Sequence, residues 1–336
     1  MGVIISGLGG AVPANQISNE TISKRVDTTP DWIFTRTGIR TRYHAGSSAT
    51  TSGLAAEAAK NAIISSGSDQ HIDLLLLATT TPDRLCPATA PKVAYQLGLG
   101  PISAVDISAV CSGFIYALQL AVGALSAGMA NRVLVIGADI FSSILDPTDR
   151  TTLPIFGDGA GALIIENGND EHVLDVSTGS NGGFEDLITI RGRGVEAHFN
   201  ATMSGHDDPF FRMEGKIVFQ MAVETMARSV STILEKNRLN IADLDFVVGH
   251  QANARILTTL GEHLGLSTEK VIISVEKFGN TSAASIPLAL ADAANGGRFK
   301  PGNRIALTAF GGGLTWGSAL IVWPLLAAPP SITTLV

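Results

Sequence analysis

The sequence predicts an α/β protein built from two similar halves, its sheets largely parallel and covered on both faces. Three observations carry that expectation. Short apolar runs bounded by polar residues alternate with longer amphipathic segments along all 336 residues, as buried strands and crossover helices do. Hydrophobic residues make up 45% of the chain and charged ones only 16%, which suits a large buried core. Several strand-like segments also recur, in the same order, in the second half.

Met1-Gly-Val-Ile-Ile-Ser6 enters strand-like sequence with no basic region ahead of it, so no signal peptide is expected. Thr51 to Ser65 carries helical spacing, and Asp73-Leu-Leu-Leu-Leu-Ala78 reads as a buried strand. Ser112 to Ala127 is again helical and Arg132-Val-Leu-Val-Ile-Gly137 strand-like. In the second half, Val218 to Asn237 and Ala254 to Leu264 read as helices, and Asp245-Phe-Val-Val-Gly249 and Arg304-Ile-Ala-Leu-Thr308 as strands. Three echoes suggest duplication. Leu77-Ala-Thr79 returns as Val248-Gly-His250, Asn131-Arg-Val-Leu-Val135 as Asn303-Arg-Ile-Ala-Leu307, and Gly161-Ala-Leu-Ile-Ile165 as Ser318-Ala-Leu-Ile-Val322. The polar turn Asn167-Gly-Asn-Asp170 marks the boundary, giving halves 1–168 and 169–336. The apolar stretch Ala319 to Ala328 is interrupted by Pro324 and falls short of the roughly 20 residues a bilayer requires. It reads as a last buried strand and a proline-containing tail that frays, and no membrane association is expected.

The formal charge of −7, from 23 basic and 30 acidic residues, argues against a nucleic-acid surface. Two cysteines in unrelated contexts, Cys86 and Cys111, make no disulfide framework, so a reduced cytoplasmic protein is expected.

Cys111 ends an apolar run and opens a helical pattern in Asp106-Ile-Ser-Ala-Val-Cys-Ser-Gly-Phe114. A sulfur at a helix N-terminus meets the positive end of the dipole, which favours thiolate over thiol. Gly249-His-Gln-Ala-Asn253 and Phe278-Gly-Asn-Thr-Ser282 supply partners in His250 and Asn280. A cysteine exchanges thioesters at little free-energy cost and suits an acyl-carrying nucleophile. A hydrolase triad would use His250 as general base with Asn280 orienting it. Both groups could instead donate hydrogen bonds to one oxygen; if a malonyl thioester lost carbon dioxide there, they would stabilise the enolate, an oxyanion effect of about 3 kcal/mol per donor. The glycine loops Phe156-Gly-Asp-Gly-Ala-Gly161 and Phe310-Gly-Gly-Gly-Leu-Thr-Trp-Gly317 lack the Walker lysine and the dinucleotide spacing. They read instead as places of close backbone approach, the second directing a main-chain N–H at an acyl oxygen on Cys111. The histidines at 44, 71, 172, 198, 206 and 263 have no metal-ligand spacing and read as solvated, so no metal is expected.

These motifs, with Asp31-Trp-Ile-Phe-Thr-Arg-Thr-Gly-Ile-Arg40, Asp146-Pro-Thr-Asp-Arg150, His250-Gln-Ala-Asn-Ala-Arg255 and Gly279-Asn-Thr-Ser-Ala-Ala-Ser285, run in order through the chain. The whole resembles 3-oxoacyl-[acyl-carrier-protein] synthase III, the initiating condensing enzyme of the thiolase superfamily. The resemblance implies a thiolase-like five-layer αβαβα fold, a homodimer, and no cofactor beyond CoA thioesters as substrates. It implies Cys111 as the acylated nucleophile, with His250 and Asn280 assisting decarboxylation. Gly312 and the Cys111 amide would form an oxyanion hole, and Phe310 would help expel the carboxylate. Trp32, Arg36 and Arg150 match residues that hold the CoA adenine and phosphate, and Thr28 and Asn253 contacts to the CoA or pantetheine arm. Stacking and guanidinium pairing suit that task. Phe156 and Cys86 match the acyl pocket, Cys86 reaching the partner's site, and Arg255 opens a helix that docks the carrier protein.

Two positions depart from the family pattern. Cys86 stands where a phenylalanine is common, opening room for a longer or branched acyl chain. Leu260-Gly-Glu-His-Leu264 and Gln220 lack bases common in the docking region, which points to weaker carrier docking or a CoA-bound acceptor. The partners expected are acyl-CoA with malonyl-acyl carrier protein or malonyl-CoA. The alternative is a specialised acyltransferase passing the acyl group to a non-malonyl or CoA-bound acceptor. A non-catalytic partner subunit is disfavoured because Cys, His and Asn are all retained. Arg191 to Phe211, with paired phenylalanines at its end, reads as a mobile surface loop.

Overall fold

The computed structural model describes residues 2–199 and 207–335. The apolar runs expected as strands alternate their side chains between two faces, and both faces are buried. Leu75 and Leu77 enter one core cluster and Leu76 and Ala78 another, as period-two geometry requires. Among the described residues two main sheets form. The first contains β1 (Gly2–Pro13), β2 (Leu74–Ala78), β3 (Ser103–Ile107), β4 (Arg132–Asp139) and β5 (Gly159–Gly168). The second contains β6 (Val173–Ser180), β7 (Phe246–Gly249), β8 (Arg304–Gly311) and β9 (Thr315–Val322) in the order β7-β8-β9-β6.

Six helices matter for the site: α1 (Pro30–Thr37), α2 (Thr51–Ser66), α3 (Gly113–Ser126), α4 (Gly215–Lys236), α5 (Ala254–His263) and α6 (Ser285–Asn295). Helices α3 and α6 lie between the sheets. Phe114, Leu118, Ile286 and Leu290 share one cluster with Val133 and Leu163 of the first sheet and Val248 and Leu307 of the second. Helix α2 covers the outer face of the first sheet, and α4 and α5 cover that of the second. The result is the five-layer αβαβα arrangement. It makes α3 the most apolar of the helices, because sheet residues press on it from both sides.

Two expectations need correction. The sheets are mixed and not largely parallel: β1–β5, β4–β5, β8–β9 and β9–β6 pair antiparallel. The physical reason is the connections. Strands β8 and β9 are joined by a three-residue turn, and β4 reaches β5 without a full crossover helix, so the chain returns antiparallel. The tail also does not fray. Residues Ile332–Leu335 form β10, which pairs parallel with β1 and completes the first sheet as β10-β1-β5-β4-β2-β3. Exposed N–H groups at the edge of β1 gave it a partner. No helix among the described residues is long and apolar enough to cross a membrane.

Candidate active site

Cys111 sits in a three-residue 3₁₀ turn, Val110–Ser112, between β3 and α3. Val110 has φ +46°, an unfavourable left-handed backbone for a β-branched residue. The surroundings hold that turn. Ser112 Oγ donates to the Ala109 carbonyl at 2.8 Å and lies 2.7 Å from Thr315 Oγ1, which donates to the Gly312 carbonyl at 2.9 Å. The end of β8 presses on it directly. A Cβ added to Gly311 would stand 2.9 Å from the Cys111 nitrogen and 3.0 Å from that of Ser112, and one on Gly312 would stand 3.3 Å from Val110 Cγ2. The triple-glycine loop therefore does approach the cysteine backbone. Phe310, 4% exposed, precedes it and pairs across the hairpin with Trp316.

The expectation of a ready thiolate is reversed. Burial pushes the Cys111 thiol up to about 12, and the buried Asp139 carboxylate adds to the rise. The neighbouring Ser282 hydroxyl opposes it, though it makes no hydrogen bond of ordinary geometry. Desolvation of a charge outweighs a helix-end partial charge.

His250 leaves the end of β7 with its N–H donated to the Thr308 carbonyl of β8 at 2.8 Å. It is 4% exposed, and burial pushes its imidazole down to about 3, so the ring is neutral. Its Nδ1 lies 2.6 Å from Ser285 Oγ. Asn280 is also 4% exposed. Its Oδ1 accepts the Ser282 N–H at 2.9 Å, which leaves its amide NH2 as the group still to be used. The turn that follows, Ser282–Ala284, packs against the Cys111 turn.

The start of Phe156-Gly-Asp-Gly-Ala-Gly161 clamps Asn280. The Asn280 N–H donates to the Ile155 carbonyl and its carbonyl accepts the Gly157 N–H, both at 2.9 Å, a parallel bridge between Phe156 and Asn280. Gly279 fits the space because it has φ +68° and because a Cβ there would stand 2.9 Å from both Arg42 Cβ and the Ile155 carbonyl oxygen. Arg42, fully buried, donates to the Pro154 carbonyl at 2.6 Å. His44 was expected in solvent but is 8% exposed, its Nε2 3.2 Å from the Phe156 carbonyl and its pKa pushed down to about 4 by burial. His172 is half-buried and accepts the Ile5 N–H at 3.1 Å, while His71 and His263 are exposed as expected. His206 and the side chain of His198 lie outside the described residues.

The Phe156 ring is buried, stacked on Phe141 with centroids 4.3 Å apart and meeting Phe211 edge-on at 5.1 Å. Phe211, placed by the sequence at the end of a surface loop, is thus a core residue. Arg212 beside it is tied to Asp208 at 2.6 Å and Asp146 at 3.0 Å. Residues 200–206 of that segment lie outside the described ones. Cys86 is exposed, next to Leu85 at 91% exposure, on the segment after β2.

Asp31, Trp32, Thr35, Arg36 and Arg255 line one surface cavity of about 510 Å³. The Arg150 guanidinium lies 5.6 Å from the Trp32 ring centre, and the Thr28 hydroxyl is buried without a hydrogen-bond partner among the described residues. Arg255, expected to serve carrier docking, therefore also faces the groove of Trp32 and Arg36. Asn253 caps α5, its Oδ1 accepting the Ile256 N–H at 2.9 Å, so only its amide NH2 remains for a ligand. Sequence reasoning missed Asp139 and Ser285. Asp139 accepts the Thr80 and Thr81 N–H groups at 2.7 and 3.1 Å and that of Ala283 at 3.2 Å, holding the Ser282–Ala284 turn to β4.

Family models for 3-oxoacyl-[acyl-carrier-protein] synthase III match residues 105–182, and for its C-terminal part residues 234–323. The chain is 48% identical to β-ketoacyl-[acyl-carrier-protein] synthase III 5 of Streptomyces coelicolor, over 97% of this chain and 98% of that one. The crystal structure of 3-oxoacyl-(acyl carrier protein) synthase III from Pseudomonas aeruginosa superimposes with a TM-score of 0.91 at 40% identity, covering 97% of this chain and 100% of that one. A priming β-ketosynthase of a polyketide biosynthetic pathway superimposes with a TM-score of 0.91 at 30% identity, covering 98% and 97%. The chain belongs to the 3-oxoacyl-[acyl-carrier-protein] synthase III family.

Proposed function

We propose that this enzyme loads an acyl group from acyl-CoA onto Cys111 and condenses it with malonyl-acyl carrier protein, releasing carbon dioxide and a 3-oxoacyl product that starts a fatty acid or polyketide chain. The observation that carries the reading is a neutral His250 and an Asn280 with its acceptor oxygen already occupied, on either side of the Ser282–Ala284 turn that packs on the Cys111 turn: Asn280 bonds to Ser282, and His250 to Ser285 just after it. Cys111 attacks the acyl-CoA carbonyl, forming the acyl thioester and expelling CoA. The malonyl thioester then loses carbon dioxide, and its carbonyl oxygen takes on enolate charge that His250 and Asn280 stabilise as donors. The enolate carbon attacks the acyl carbonyl, whose oxyanion is held by the Cys111 and Gly312 N–H groups. Collapse expels the Cys111 thiolate, which takes up a proton. Phe310 shields the departing carboxylate from water.

Trp32, Arg36, Arg150, Thr28 and Asn253 would hold the CoA moiety, with the Arg255 guanidinium shared between that groove and carrier docking. Phe156 bounds the acyl pocket, and the exposed segment of Cys86 would reach the pocket of the second subunit in a homodimer. Residues 1–168 and 169–336 form its two halves. Few bases flank Arg255, which supports weak carrier docking.

Intact-protein mass spectrometry tests the reading. Wild type and Cys111→Ala are incubated with short, long, branched and dicarboxylic acyl-CoAs, then with malonyl-acyl carrier protein. A Cys111-dependent adduct discharged by the malonyl thioester is expected. An adduct that persists until an amine or alcohol is supplied would replace condensation with the specialised acyltransferase. Asn280→Ala should spare acylation and slow condensation about a hundredfold, the worth of one oxyanion donor. Equal loss of both steps would refute its role.

A further inference from the structure

The geometry points to Ser285 as the residue that fixes His250 in its Nε2–H tautomer, so that the ring meets the malonyl thioester as a hydrogen-bond donor and not as a base. This rests on the condensing role of His250 proposed above. Ser285 is 2% exposed. Its Oγ lies 2.6 Å from His250 Nδ1 and accepts the Gln251 N–H at 3.3 Å. A serine hydroxyl has one hydrogen and two lone pairs. The Gln251 N–H occupies a lone pair, and among the described residues Nδ1 is the only acceptor within hydrogen-bond distance of the hydroxyl. A buried hydroxyl hydrogen left unused is costly, so Ser285 donates to Nδ1 and the ring proton resides on Nε2.

The residue after His250 holds the ring's backbone in place. Gln251, 1% exposed, donates to the Gly249 and Ile272 carbonyls at 2.8 and 3.1 Å and accepts the Ser274 and Val275 N–H groups at 2.8 and 3.1 Å. The backbone on both sides of His250 is thereby pinned. Ser285 is also the first residue of α6, which has 11 residues, so the positive end of a helix faces the imidazole and opposes its protonation. A triad carboxylate would accept from Nδ1–H and free Nε2 to take a proton. A serine donating to Nδ1 does the opposite.

The test pairs Ser285→Ala with Ser285→Thr, which keeps the hydroxyl. Histidine labelled with nitrogen-15 reports each ring nitrogen, and the His250 signals are assigned by their loss in His250→Gln. In the wild type Nδ1 should give an unprotonated, pyridine-like signal and Nε2 a protonated, pyrrole-like one. Ser285→Ala should mix the tautomers and slow malonyl discharge of acyl-Cys111 about tenfold to a hundredfold, by analogy with metal-bound histidines that lose their orienting partner. Acylation should be spared, and Ser285→Thr should restore both tautomer and rate. A wild-type spectrum with Nδ1 protonated overturns the inference, as does Ser285→Ala with unchanged tautomer and rate. If Ser285→Ala does not fold, the wild-type spectrum decides. A wild type that never discharges onto malonyl thioester would defeat the condensing reading instead, and the nitrogen signals would still judge Ser285.

Discussion

Acidification should cost this protein stability in a window set by two buried histidines, and His44→Gln should remove about half of what the two histidines contribute. Burial holds His250 at about 3 and His44 at about 4, against about 6.5 in the unfolded chain. The unfolded state therefore binds these protons first. Their stabilisation is complete above about pH 6.5 and drains as the pH falls to the folded values. Asp158 has the opposite sign. Burial pushes its carboxyl up to about 6, so the folded state takes that proton first and gains stability as the pH falls from about 6 to about 4.

Between about pH 7 and pH 4.5, each histidine loses between 2 and 3 kcal/mol and Asp158 returns about 2, a net loss of about 3 kcal/mol. Asp139, also pushed up by burial, acts with Asp158 and makes that figure the upper limit. Asp83, Asp146, Asp149 and Asp208 are held low by their hydrogen bonds and ion pairs, so they release stability mainly below this window. Urea unfolding of wild type and His44→Gln across the window is the assay. The difference between the two proteins cancels the carboxylates and should change by between 2 and 3 kcal/mol. A difference that stays constant with pH would refute the claim that His44 is buried as a neutral ring.

Gly311→Ala places a methyl 2.9 Å from the Cys111 nitrogen, and the turn must shift by several tenths of an ångström. Such displacement should lower kcat/KM about a hundredfold while circular dichroism is unchanged. Phe211→Ala removes the edge-on partner of both Phe141 and Phe156 and should cost about 3–5 kcal/mol in urea unfolding; less than 1 would mean that the aromatic cluster collapses around the gap. Trp32→Ala should raise KM for acyl-CoA about tenfold with kcat nearly unchanged, since an exposed stacking surface contributes equally to ground and transition states.

Much of the site was legible because its parts are local. A cysteine between a strand-like run and a helical one, His-Gln-Ala-Asn after a strand, and Gly-Asn-Thr-Ser before a helix each announce backbone geometry from a few neighbours. The structure adds that these segments converge because β7 and β8 run side by side and α6 lies between the sheets. What sequence left hidden depends on burial and on partners far along the chain. Nothing near His44 or Phe211 marks them as interior; His44 meets Phe156 across 112 residues and Ser285 meets His250 across 35. Serines are common at turns and helix starts, so Ser285 carried no signal by type. The thiolate expectation failed for a related reason. A helix end can be inferred from local pattern, whereas the desolvation that overrides it comes from the strands and turns packed around Cys111.

That desolvation acts on Cys111 and His250 together, and it argues for what the site is built to favour. A thiolate–imidazolium pair would need one group pushed down and the other up, yet burial moves the cysteine up and the histidine down. Both are neutral at rest, which makes the thiol a sluggish nucleophile and the imidazole a permanent donor. In the condensation proposed above the enolate formed by decarboxylation is the most demanding charge, and fixed neutral donors at a buried site would stabilise it without reorganising. Acyl transfer between thioesters is nearly isoenergetic and tolerates a thiol that ionises only as it attacks. The steep rise expected in Cys111 alkylation by iodoacetamide above pH 9, with little reaction at pH 7, follows from the same placement. Rapid alkylation at neutral pH would show that the turn exposes a thiolate, and the division of labour between a reluctant nucleophile and ready donors would have to be abandoned.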